Sequence, residues 1–131
     1  MTNRNGRARL SALTLAGLLA MSAASAECVY PKPPASMPNG ATATEEEMVA
    51  GMKATKEYNN EVTAYLSCLE MEMNARVEAA GADAPADQIA QIKAIHTKRH
   101  NAAVDELEAH AARFNEQVKV YKTREKSNKK S

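Results

Sequence analysis

Two histidines and two cysteines carry most of the reactive chemistry in this sequence. In IHTKRHN (95–101), His96 and His100 stand four residues apart. On a helix that spacing puts both imidazoles on one face, close enough to share a metal ion. Two ligands fall short of the three or four of a tight site. Thr97 follows His96, so the HExxH metalloprotease pattern is absent. His110 lies ten residues beyond His100, about 15 Å along a helix axis, and joins only through a second chain. The alternative is that both rings are ordinary positions of an amphipathic helix or of its seam.

The cysteines, Cys28 and Cys68, are the only two in the chain. In an oxidising compartment they most simply form one disulfide. The closed loop of about 40 residues is worth roughly 4 kcal/mol in the chain-entropy account. A link between two chains and a pair of free thiols are the alternatives. Of the methionines, Met48, Met52 and Met73 recur at helical spacing, which reads as adaptable core filler rather than as a copper ladder.

The compartment is written in the first 26 residues. Arg4, Arg7 and Arg9 make a basic start, LSALTLAGLLAM (10–21) an apolar core, and SAASA (22–26) a small-residue A-x-A site. That is the pattern of a secretory signal peptide, and its core is too short to span a bilayer. Glu27 ahead of Cys28 spoils the lipoprotein pattern, and no adjacent arginine pair marks the twin-arginine route. The expectation is general secretory export to the periplasm or beyond. Removing Arg4, Arg7 and Arg9 leaves 14 basic against 16 acidic side chains. With four tyrosines, one phenylalanine and no tryptophan, a nucleic-acid surface is poorly supplied, so no nucleic acid is expected. No later stretch approaches the ~20 apolar residues of a membrane span.

The remaining sequence predicts an all-α fold, a long antiparallel two-helix hairpin with a proline-rich extended arm. The arm covers 27–43 and packs along the first helix, and the hairpin covers 44–126. Thr44-Glu45-Glu46-Glu47 is a capping box opening a helix over 44–80. Met48, Met52, Thr55, Asn59, Val62, Leu66, Leu69, Met73 and Val77 form its main stripe. GADAP breaks the pattern, placing a turn at 81–84, and Pro85 suits the first turn of a second helix over 85–126. The second stripe is Ile89, Ile92, His96, Ala103, Leu107, His110, Phe114, Val118 and Tyr121. A short connection makes the helices antiparallel neighbours, with residues whose numbers sum to about 165 lying level. This register puts Glu45–Glu47 beside Lys119 and Lys122.

Two helices alone bury little, so a third layer or a partner is required. Gly51, Ala54, Tyr58, Tyr65 and Cys68 form a flanking stripe, and Tyr58 and Tyr65 are the expected packing face for the arm. Folding back at Pro38-Asn39-Gly40, an extended arm of 15 residues reaches roughly 46 Å. The 24 helical residues from Thr44 to Cys68 span roughly 36 Å. Cys28 can therefore reach Cys68.

No catalytic constellation emerges, because serines and carboxylates lack placeable partners. The chain reads as a non-enzyme with no cofactor. The best reading is a small exported binding or scaffolding protein, chaperone- or adaptor-like, whose partner is another protein or a second copy of itself. Polar Thr55, Asn59 and His110 within the stripe suit a dimer of fixed register. A metal-binding protein using His96 and His100 is the runner-up. The basic tail, KVYKTREKSNKKS (119–131), with 127–131 as its disordered end, is either a weak contact for anionic surfaces or a solvated helix end.

Overall fold

In a computed structural model the described residues are 27–130, and the expected signal peptide (1–26) and Ser131 lie outside them. Two α-helices make up the regular structure: α1, Glu45–Ala80, and α2, Ala86–Asn128. They pack together as a hairpin. At the start of α1 the capping box is complete. The Glu47 amide donates to Thr44 Oγ1 at 3.2 Å, and the Thr44 amide donates to Glu47 Oε2 at 2.8 Å. Glu45, Glu46 and Glu47 also place negative charge against the positive end of the helix dipole.

Gly81 closes α1 with φ +85°, the left-handed region that glycine enters without steric cost, and its amide donates to the Glu78 carbonyl at 3.0 Å. Pro85 sits one position earlier than expected, as the residue before the first helical turn of α2. Its missing N–H is no loss there, and its carbonyl accepts from Ile89 at 3.2 Å. At the other end α2 continues to Asn128, so Ser127 and Asn128, the first two residues of the expected disordered end (127–131), are helical.

Individual contacts fix the register. Thr55 Oγ1 meets His110 Nε2 at 3.2 Å. A Cβ on Gly51 would stand 3.0 Å from the Phe114 ring. Val62 and Ala103 share one buried cluster. All three pairs sum to 165. Ala103 is fully buried, a small side chain set among Val62, Leu69 and the tyrosines.

Two expectations need correction. Met52 and Asn59, placed in the main stripe, are exposed, while Tyr58 and Tyr65 of the flanking stripe, the expected packing face, are buried. The reason is that two helices share only a narrow seam, and a flank is buried only where further chain covers it. Residues of the 28–43 segment meet the tyrosine flank: Tyr30 packs edge-on against Tyr65, ring centroids 5.1 Å apart. The second correction concerns charge. Lys119 pairs with Glu116 on its own helix at 3.3 Å, and Glu47 is used by the cap. The cation that reaches the start of α1 is Arg124, which donates to the Ala43 carbonyl at 2.7 Å.

The 28–43 segment also touches α2. Tyr30 donates to Glu106, and the Gly40 amide donates to Gln117 Oε1 at 2.9 Å. Around Asn39 the chain turns tightly. Its side chain accepts from the Ala41 amide at 2.9 Å, and its carbonyl accepts from Thr42 and Ala43 at 3.0 and 2.7 Å. Ala43, Met48 and Phe114 form a second buried cluster beside this turn.

Candidate functional site: a cleft beside the disulfide

Cys28 and Cys68 are joined by a disulfide, with Cα atoms 5.8 Å apart. It fastens the start of the described chain to the middle of α1 and sets Val29 and Tyr30 next to Tyr65. On α2, Ile95, Lys98, Arg99 and Ala102 recur at spacings of three, four and seven, which is one helical face. Between these groups lies an open cleft of about 800 Å³, which Glu27 also borders. Its walls include two exposed aliphatic side chains: Val29 is 85% and Ile95 53% exposed.

The cations at the rim are not equivalent. Lys98 is exposed. Arg99 is held in place, its Nη1 donating to both carboxylate oxygens of Glu72 at 3.0 Å each. Glu72 is held in turn by Arg76 at 2.7 Å. Arg99 stands 5.9 Å from the centre of the Tyr65 ring, within cation–π range. On the far wall the Tyr30 hydroxyl donates to Glu106 at 2.5 Å. That bond, with some burial, pushes its pKa well above the ordinary phenol range. The cleft thus presents aromatic and aliphatic surface beside a paired guanidinium and an exposed ammonium.

The histidines fall in two places. His96 and His100 have ring centroids 5.9 Å apart. His100 Nδ1 lies 3.3 Å from Asn101 Oδ1, and His96 Nε2 is buried without a hydrogen-bond partner. Beside His96 a cavity of about 20 Å³ is bordered by Leu69, Glu72, Met73, Ile92 and Arg99. It has room for one water-sized guest. Among the described residues no three of His, Cys, Asp and Glu gather in a metal-ligating group. The disulfide takes up Cys68, the thiol the register brings level with this pair.

His110 is elsewhere, buried at the centre of the seam. It is bonded to Thr55 and packed edge-on against Tyr58, ring centroids 5.4 Å apart. Burial, then the positive charge of Arg113, pushes its pKa down, which favours the neutral ring. The Tyr58 hydroxyl is buried without a partner, and burial raises its pKa.

No family model, curated protein or solved structure matches the chain. Among the described residues no helix is long and apolar enough to cross a membrane.

Sequence reasoning singled out Tyr65, His96 and His100 but passed over Tyr30, Ile95, Lys98 and Arg99. The spacing of the last three with Ala102 was a usable signal. What hid the cleft is that its other wall comes from a segment more than sixty residues away.

Proposed function

We propose that the chain is a small exported binding or scaffolding module that receives an apolar, acidic segment of a partner protein in the cleft beside the disulfide. The observation that carries this reading is the exposed pair Val29 and Ile95, set around Tyr65 with Lys98 and Arg99 at the rim. Apolar side chains held in water beside organised cations suit a ligand that is itself apolar and negative. In this reading residues 27–43 are the third layer of the fold as well as one wall of the site, and the disulfide holds that wall in register. Export is part of the proposal, supported by the basic, apolar and small-residue order of residues 1–26 and by the disulfide, which persists in oxidising compartments.

Calorimetric titration with a synthetic peptide rich in leucine, phenylalanine and glutamate tests it. Saturable binding is expected, weakened about tenfold in Ile95→Ser/Lys98→Glu with unchanged circular dichroism. Absence of binding, or equal binding by the variant, overturns the reading.

The unpartnered Nε2 of His96 favours a second reading, in which His96 and His100 take a metal ion as a pair. Titration with zinc or copper, repeated on His96→Ala/His100→Ala, decides it: heat lost in the variant supports the site, and unchanged heat removes it.

A further inference from the structure

The hairpin has two long grooves, and residues 28–43 occupy part of one. At about 100° per helical residue, Tyr58 lies about 40° to one side of Val62 on α1, and Leu66 about 40° to the other. The 28–43 segment meets the Tyr58 and Tyr65 side, through Tyr30 and the Cys28–Cys68 bond. On the opposite side Met52 and Asn59 are exposed, and Leu66 and Met73 are only half-buried. The α2 wall of this second groove supplies Val104, Leu107 and Ala111, also half-buried. Two rows of aliphatic side chains therefore end in water along the middle of the molecule.

The charges around this groove say what covers it. On this face of α1, between Met52 and Val77, only two residues are charged: Lys56 and Glu70. They are opposite in sign and each stands seven residues from Thr63. Both are exposed, and among the described residues neither has an ion-pair partner. A surface whose charges are mirrored in position and opposite in sign is complementary to itself turned end over end.

We infer that this groove binds a second copy of the chain, antiparallel, about a two-fold axis at Thr63. The axis sets Lys56 of each copy against Glu70 of the other and Val49 against Val77, with Thr63 facing its own equivalent. The register carries the axis across α2 at the level of Ala102, whose own side chain lines the cleft on the opposite face, and there Thr97 comes opposite Leu107, His100 opposite Val104, and Lys93 opposite Ala111. No like charges meet at any of these positions. The product is a four-helix bundle in which the groove is the shared core. Each ion pair is worth little, but reversing one residue sets two pairs of like charges face to face, one on each side of the axis, so the pairs set the arrangement more than the affinity. The cleft beside the disulfide lies on the other face, so the inference stands or falls independently of the ligand read there.

Sedimentation equilibrium across a concentration series tests it. The protein is expected to sediment at twice its chain mass. Lys56→Glu and Glu70→Lys should each raise the dimer dissociation constant about tenfold, and the double exchange should restore it to near the original value. Leu66→Glu should give a monomer whose helical circular dichroism is unchanged. A monomer at every concentration overturns the inference and assigns the groove to a different partner. A dimer that survives Leu66→Glu, or that the double exchange fails to restore, overturns the two-fold at Thr63.

Discussion

The two halves of the hairpin are built from the same helices yet bury very different amounts. In the half where residues 28–43 touch α1 and α2, the buried residues run from Met48 to Leu69 and from Ala103 to Phe114. In the half that ends in the turn, from Glu70 to Ala102, no residue is buried. Helical periodicity is as regular there, in Met73, Val77, Ile89 and Ile92. What is missing is a third segment, since a helix pair leaves each seam residue open on two sides. Burial here follows coverage rather than hydrophobic spacing, and stability should follow it too.

The largest test of that contrast removes the tether. Cys28→Ala/Cys68→Ala is expected to cost about 4 kcal/mol in urea denaturation, from the 40-residue loop it reopens. The loss should be accompanied by faster hydrogen exchange at Tyr58 and Tyr65 and little change at Val77 or Ile89. Equal loosening of both halves would break the comparison. Next, Phe114→Ala should cost about 3 kcal/mol, a truncation in a buried cluster. Half-buried Ile92→Ala should cost about 1 kcal/mol in the same denaturation series.

Two glycines then sharpen it. A Cβ on Gly40 would lie 2.0 Å from the Gln117 carbonyl oxygen, so Gly40→Ala must push the Asn39 turn off α2, at about 1–3 kcal/mol. Gly81→Ala meets nothing within 4 Å and pays only for its own backbone, φ +85° with ψ 167°, about 1–3 kcal/mol. Hydrogen exchange separates the two: Gly40→Ala should loosen Ala41 to Ala43, and Gly81→Ala only the turn between the helices.

The smallest effect is in pH. The folded state holds the His110 pKa below its ordinary 6.5, so the unfolded chain binds this proton more readily. Its contribution is intact above about pH 6.5 and declines as pH falls from there through the lowered folded value. Melts between pH 7.5 and 5 should show His110→Gln with a flatter profile than the parent. A slope that the substitution leaves unchanged would place the sensitivity elsewhere.

Features set by neighbours in sequence were legible: the Thr44 cap, the Gly81 stop and the level rule that pairs Thr55 with His110. The disulfide followed from there being only two cysteines and from the reach of the segment between them. The exposure of Met52 and Asn59 was not legible, because spacing alone treats Asn59 and Tyr58 as equal neighbours of Val62. Nor was Arg99, whose position depends on Glu72 across the seam. Gly40 looked like a turn residue and is in addition a point of backbone contact, which only the packing of α2 reveals.

The Cys28–Cys68 bond has one more consequence, for how the chain responds to being cut. Any single proteolytic nick between residues 29 and 67 falls inside the covalent ring, so neither fragment leaves. The nicked protein should migrate as one species until a reductant is added, then separate into two. Such a molecule can lose the continuity of its backbone at the exposed Ala35–Ser36 bend and still keep residues 28–35 fastened to its first helix.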